Sequence, residues 1–119
     1  MVRLTRPIAW IKGARKDFGE FPEEAQRRCW RALAVAAEGG KADIAKPLRG
    51  FGSGVLEIAL PYRGDAFRVV YAVQLEDTIW VLHAFQKKST HGIATPRHEM
   101  DLVLNRLKQL RQLLREHSI

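Results

Sequence analysis

Three consecutive strand-like segments, separated by only a few residues each, constrain the fold of this chain more than any other feature. They span residues 55–60, 67–75 and 78–86. Apolar side chains occupy every odd-numbered position of residues 67–75, the period of two expected for a strand with one face in a core. Residues 78–86 are largely apolar on both faces, so this strand is predicted to lie inside the sheet, with His83 on the same face as Val81 and Phe85.

Helical patterns lie before and after these strands. Residues 22–38 are predicted to form a helix that opens with a proline and ends at Gly39–Gly40. Thr95–Pro96 are predicted to start a second helix, with Arg106 on its polar side. The apolar stripe of this helix consists of Val103, Leu107, Leu110 and Leu114. Residues 8–11 are a candidate first strand, residues 13–18 a candidate short helix and residues 41–54 a predicted loop.

Hairpin-linked strands with helices at both ends of the chain predict an α+β fold. The length of 119 residues predicts one domain, spanning residues 1–119. We expect N-terminal helices, an antiparallel sheet of about four strands and a C-terminal helix. The helices are expected to pack on one face of the sheet and to leave the other face partly open.

The charge balance indicates the kind of partner. Twenty Lys and Arg against thirteen Asp and Glu give a net charge of +7, which favours polyanions such as nucleic acid, a ribosome or an acidic protein. The alternative is a basic surface that serves only solubility. No apolar run approaches the ~20 residues of a membrane span, and no signal-peptide layout is visible, so a cytoplasmic protein without membrane contact is predicted.

Several classes of site are not predicted. The four histidines lack metal-ligand spacing, and the glycines at positions 50, 52 and 54 do not form a phosphate-binding loop. Cys29 is the only cysteine and is interpreted as a small buried apolar residue. Neither a metal nor a cofactor is therefore expected.

The remaining candidates are cations placed around the predicted sheet. They are Lys46, Arg49, Arg63, Arg68, Lys87 and Lys88, with His91 close behind. Arg68 lies in mid-strand, where a desolvated cation needs a partner: either Glu57 on the neighbouring strand, or a phosphate, or both. Lys87 and Lys88 could instead be a solvated strand end, His91 a plain loop residue and His83 a core histidine.

A cluster of cations suits RNA cleavage by the RNA's own 2′-hydroxyl. The nucleophile then comes from the substrate, and the protein supplies a proton acceptor, cations for the phosphate and a proton donor for the leaving oxygen. Arginine offers two-pronged phosphate contact, whereas lysine offers a point charge.

Six segments in order along the chain carry a family resemblance. They are Lys16–Phe18, Phe21–Glu24, residues 46–58 (KPLRGFGSGVLEI), 62–71 (YRGDAFRVVY), 81–89 (VLHAFQKKS) and 92–96 (GIATP). Together they resemble the phage-related HigB-like toxins of the RelE/ParE superfamily. The resemblance implies the RelE/ParE fold and a type II toxin–antitoxin toxin, a ribosome-dependent mRNA endoribonuclease (mRNA interferase) that inhibits translation. It also implies a helix-turn-helix, HigA-like antitoxin as partner and operator DNA binding only by the toxin–antitoxin complex.

The resemblance also implies roles for particular residues. Arg68 would contact the scissile phosphate, Lys87 or Lys88 would neutralise developing charge, and His91 would be the candidate general acid. Residues assigned to RNA binding are Lys46, Arg49 and Arg63.

Two alternatives remain open at this point. A ParE-like inhibitor of DNA gyrase would share the fold, but the Lys87–Lys88 pair favours the nuclease. A catalytically degenerate module that binds only an antitoxin or operator is favoured by Ala59, where many relatives carry an arginine.

Overall fold

The computed structural model describes residues 5–88 and 95–117. Its elements in chain order are β1 (Ile8–Trp10), α1 (Lys12–Gly19), α2 (Glu23–Ala37), β2 (Ala45–Pro47), β3 (Val55–Tyr62), β4 (Asp65–Leu75), β5 (Thr78–Lys87) and α3 (Arg97–Glu116). The mixed α+β class and the helices near both ends are confirmed. None of the helices described is long and apolar enough to cross a membrane.

The sheet contains five strands in the order β1-β5-β4-β3-β2. β5 lies between β1 and β4, as its two apolar faces predicted. The pairings among β2, β3, β4 and β5 are antiparallel, whereas β1 runs parallel to β5. The sheet is therefore mixed, not purely antiparallel as expected from the hairpins.

One strand lies within the predicted loop. Residues Ala45–Pro47 pair with Leu56–Ile58 and add an edge strand, so the sheet has one strand more than the four expected. Three residues are too few to display a period of two, and Pro47 argues against a central strand. An edge strand tolerates this proline because its missing N–H does not interrupt a ladder on both sides.

The expectation that helices cover one face only is wrong. α1 and α2 pack on one face, over a core that includes Phe18, Leu33 and Tyr71. α3 packs on the other face through Val103 and Leu107. The cause is that β4 and β5 carry apolar side chains on both faces, and burying the second set also favours folding.

A β-bulge in β5 changes which way His83 points. Val70 pairs with His83 and Tyr71 pairs with Val81, so Leu82 is an extra residue on β5. One extra residue breaks the alternation of faces. His83 therefore lies on the α3 side, away from the face of Val81 to which simple alternation assigned it.

The β3–β4 turn is equally specific. Arg63 and Gly64 have φ angles of 52° and 88°, the left-handed region at both central positions of a two-residue hairpin loop. Such loops match the twist of the flanking strands. The turn fixes the register that sets Ala59 opposite Arg68.

Alkaline pH should destabilise the protein through two buried groups. Burial raises the pKa of Cys29 to about 12 and the pKa of Tyr71 to about 12. Both folded-state pKa values lie above the unfolded ones. The stability that the two neutral groups contribute is therefore fully present below about pH 9 and is lost as the pH rises towards 12. We expect the free energy of unfolding, from urea titrations, to fall by on the order of 3 kcal/mol between pH 8 and pH 11.

The C29A/Y71F double variant serves as the control. It lacks both groups, so its free energy of unfolding should change much less over the same interval. If the free energy of unfolding fell as steeply with pH in the variant as in the wild-type protein, the loss could not come from Cys29 and Tyr71.

Candidate functional site

The candidate site lies on the α3 side of the sheet, at the corner that α3 leaves uncovered. Three rows of cross-strand partners form this surface: Lys46–Glu57–Val70–His83, Ala59–Arg68–Phe85 and Pro61–Ala66–Lys87. Cross-strand partners share a face of the sheet, and Val70 and Phe85 belong to the α3-side core. Pro61 is exposed and Ala66 half-buried. We call this surface, with its cations Lys46, Arg68 and Lys87, the basic face.

A buried ion pair lies at the centre of the basic face. The Arg68 Nη1 donates to Glu57 Oε1 at 2.6 Å, and both side chains are about nine-tenths buried. The Thr95 hydroxyl donates to the other carboxylate oxygen, Oε2, at 2.8 Å and lies 3.4 Å from Arg68 Nη1. Glu57, one of the two partners that the sequence left open for Arg68, is therefore paired with it in the structure. The hydrogen bond from Thr95 to Glu57 also joins the segment just before α3 to strand β3.

The other cations of this region differ in accessibility. Lys46 is exposed on β2, whereas Lys87 is only 6% exposed at the end of β5. Lys88 is exposed, and its Nζ lies 3.7 Å from the Asp65 carboxylate at the start of β4. Arg68 and Lys87 therefore form the buried floor of the basic face and Lys46 its exposed rim. Lys88 is not part of this face, because its partner Asp65 lies on the α1–α2 side of β4, two residues before Phe67.

Arg49 and Arg63 are not brought to this corner. Arg49 lies next to Leu48, whose N–H donates to the carbonyl of Val55 at the start of β3. Arg63 instead follows Tyr62, the last residue of β3. The two arginines thus lie at opposite ends of the sheet. The Arg63 guanidinium lies 5.4 Å from the ring centre of Tyr62, a residue packed against the α1–α2 core. His91 lies outside the described residues.

A second polar network next to the basic face was not predicted as a site. The His83 Nε2 lies 2.9 Å from Glu99 Oε1, and the Arg106 Nη1 lies 3.2 Å from His83 Nδ1. The same Nη1 donates to the Leu82 carbonyl at 2.8 Å, at the bulge. Since Arg106 can only donate, Nδ1 accepts and Nε2–H donates to Glu99 in the neutral ring. The network fixes the tautomer of His83 and joins α3 to β5.

The spacing of Glu99 and Arg106 in the sequence is the one signal that could have pointed to this network. Glu99 and Arg106 are seven residues apart and therefore share one side of α3, next to the apolar stripe through Val103. The sequence pattern places Arg106 on the polar side of α3, but its guanidinium bonds to the sheet and lies against Gly13 of α1. A Cβ added at Gly13 would collide with Nη2 of Arg106, so a larger residue there would displace the guanidinium.

The arrangement restricts the chemistry available. Within residues 5–88 and 95–117, no three His, Cys, Asp or Glu side chains group in a way that could hold a metal ion. The basic face instead offers a fixed guanidinium and a carboxylate, both nearly buried, together with the ammonium groups of Lys46 and Lys87. Guanidinium and ammonium groups bind phosphate oxygens, and a carboxylate accepts protons.

Comparisons with solved structures define the fold class. A double mutant of the Escherichia coli toxin RelE, in the free state, superposes with a TM-score of 0.65 at 15% identity, covering 87% of this chain and 98% of that one. The isolated E. coli RelE toxin gives a TM-score of 0.55 at 18% identity, covering 88% and 98%. The fold is therefore RelE-like, as the sequence resemblance implied.

The family follows from the sequence itself. Residues 16–108 match the family described as phage-derived Gp49-like proteins, and the chain belongs to that family. No curated protein sequence matches the chain.

Removing Arg68 should destabilise the fold. In the Arg68→Ala variant, Glu57 would keep a buried charge without its counter-ion, and the free energy of unfolding should fall by about 3–5 kcal/mol. The matched control is the E57L/R68M double variant, which removes both charges and should recover most of this loss. Urea unfolding measures both values, and an R68A variant as stable as the wild-type protein would show that the pair is not formed in solution.

The Arg106 contacts should also contribute to stability. The Arg106→Met variant keeps the aliphatic stem but leaves the Leu82 carbonyl and His83 Nδ1 without this donor, at a cost of about 1–3 kcal/mol. Lys108→Met, on the exposed side of the same helix, should change stability by about 0.5 kcal/mol or less. Equal thermal unfolding of the two variants would refute the role given to Arg106.

Proposed function

We propose that this protein is the toxin of a type II toxin–antitoxin system and cleaves mRNA on the ribosome. The observation that carries the proposal is that Lys46, Arg68 and Lys87 lie on one face of the sheet, where Lys46 is the cross-strand neighbour of Glu57 and Arg68 pairs with its carboxylate. The net charge of +7 and the RelE-like fold support the same function. Both structural neighbours are toxins.

The proposed reaction requires no covalent enzyme intermediate. The 2′-oxygen attacks the adjacent phosphorus, the bond from phosphorus to the 5′-oxygen breaks, and a 2′,3′-cyclic phosphate and a 5′-hydroxyl result. Arg68 binds the phosphate, using the several N–H donors that a guanidinium carries. Of the two lysines predicted to neutralise developing charge, Lys87 shares the face of Arg68 and is assigned to stabilise the phosphate oxygens.

Proton transfer completes the proposed mechanism. Glu57 is the carboxylate nearest the phosphate-binding guanidinium, and its two oxygens have lone pairs beyond those used by Arg68 and Thr95. We assign it as acceptor of the 2′-hydroxyl proton. His91 stays the predicted donor to the leaving 5′-oxygen. Lys46, Arg49 and Arg63 are proposed to bind flanking phosphates, with Arg49 and Arg63 contacting RNA at opposite ends of the sheet.

The proposal includes partners and location. The finer assignment is a HigB-like toxin, neutralised in the cytoplasm by a helix-turn-helix, HigA-like antitoxin, with operator DNA bound only by the complex. An antitoxin that covers the basic face would block RNA access to Arg68. A gene for a helix-turn-helix protein beside this one would support the pairing.

Arg68→Lys tests the nuclease directly. Lysine keeps the charge beside Glu57 but loses the planar two-pronged contact, so cleavage should fall by about 10²–10³-fold while the protein stays folded. Primer extension on mRNA after induced expression measures the cuts, with Lys108→Ala as the control that should cut like the wild-type protein. Undiminished cutting by the R68K variant would remove Arg68 from the mechanism.

A second candidate is a degenerate toxin that retains only antitoxin binding. It is favoured by the burial of Arg68 against Glu57 and by Ala59, which faces Arg68 across the β3–β4 pair without adding another cation. This candidate predicts no cuts in the primer-extension experiment by the wild-type protein. It also predicts a stable complex with the antitoxin.

A further inference from the structure

A cavity of about 430 Å³ opens at the edge of β5 and borders the basic face at His83 and Phe85. Its walls come from the end of α1, from β5 beyond Val81 and from the first turns of α3. We call it the β5-edge cavity. Its volume lies within the range of about 300–1,000 Å³ typical of ligand sites, so it can admit a whole side chain.

The floor of the β5-edge cavity is aromatic. Phe21, Phe67 and Phe85 line it, and each is 5–7% exposed. The Phe21 and Phe67 rings lie 4.7 Å apart, and Phe85 stacks on His83 at 5.0 Å. Aromatic faces attract cations and also bury the flat, apolar surface of a guanidinium.

The rim of the β5-edge cavity is acidic. Asp17, Glu20 and Glu99 line it, and the described lining residues include no lysine or arginine. This composition is opposite in sign to a protein of net charge +7. The rim therefore repels RNA and attracts a cationic group.

The part of β5 beside the cavity has no paired strand on its outer side among the described residues. β1 pairs with β5 only at Ile79–Val81, and no other described strand lies beside β5 on that side. The part of β5 that lines the cavity, residues 83–86, thus lies at a sheet edge. An extended peptide can lie along such an edge while placing a side chain in an adjacent pocket.

We propose that the β5-edge cavity is a docking site for an extended segment of a partner protein, which inserts an arginine side chain. The guanidinium would lie against the phenylalanine floor and pair with the carboxylates of Asp17 and Glu20, while Glu99 stays bonded to His83. Arginine fits better than lysine because it is planar, stacks on aromatic rings and binds carboxylates with two parallel hydrogen bonds. The two carboxylates assigned to the guanidinium, Asp17 and Glu20, lie outside the basic face, so this inference does not rest on the nuclease function.

The test is a titration of the full-length, ¹⁵N-labelled protein followed by NMR. The probe is the peptide acetyl-Gly-Val-Arg-Val-Gly-amide, and its reference carries citrulline, which is neutral and nearly equal in shape, in place of arginine. The cavity variant is D17N/E20Q, which leaves the His83–Glu99 contact intact. The control is E38Q/D43N, which removes the same charge at two exposed positions outside the cavity lining.

We expect saturable shifts confined to α1, β5 and the start of α3. Affinity should fall by about tenfold or more in D17N/E20Q and for the citrulline peptide, and stay within about twofold in E38Q/D43N. Shifts spread over the protein, equal binding of the citrulline peptide, or unchanged affinity in D17N/E20Q would each overturn the proposal. Because D17N/E20Q leaves the basic face unaltered, its RNA cleavage should match that of the wild-type protein, whatever that level is.

Discussion

The ion pair between Arg68 and Glu57 is the interaction on which the basic face depends. Both side chains are about nine-tenths buried between strands, where the desolvation of a charged group is costly. The pairing at 2.6 Å and the further hydrogen bond from Thr95 offset this cost. Such a pair contributes little net stability compared with apolar residues of similar size. What it provides is a guanidinium and a carboxylate in fixed positions, without the freedom of exposed side chains. Fixed groups of this kind lose little entropy when a phosphate binds, which is a requirement for catalysis by positioning.

The bulge in β5 links this centre to α3. One extra residue turns His83 towards α3, where Glu99 and Arg106 satisfy both ring nitrogens, and Arg106 also satisfies the Leu82 carbonyl. The beginning of α3 is thus joined to the sheet at two points: Thr95 bonds to Glu57 on β3, and Glu99 bonds to His83 on β5. The same stretch of β5 separates two surfaces of opposite character: the basic face towards β3 and β4, and the acidic, aromatic β5-edge cavity towards α1. A small basic protein can in this way offer one surface to a polyanion and another to a cationic peptide.

Much of the fold followed from the sequence, and the exceptions have identifiable causes. The strands β3, β4 and β5 and the helices α2 and α3 could be predicted because alternation and helical stripes are local signals. The three-residue β2 has no readable period, and only its pairing with β3 makes it a strand. The bulge at Leu82 depends on packing against α3, which no local pattern records. For the site, the sequence indicated Arg68, its alternative partner Glu57 and the lysines at the end of β5. It could not indicate that Arg106 crosses to His83, because side-chain reach across elements is set by tertiary packing.

The central proposal is that the protein cuts RNA through the RNA's own 2′-hydroxyl, with Arg68 at the phosphate. The most direct measurement is the chemical identity of the ends of mRNA cut on translating ribosomes by the purified protein. The proposed reaction predicts a 2′,3′-cyclic phosphate on one end of each cut and a 5′-hydroxyl on the other. Ends bearing a 3′-hydroxyl and a 5′-phosphate would contradict it.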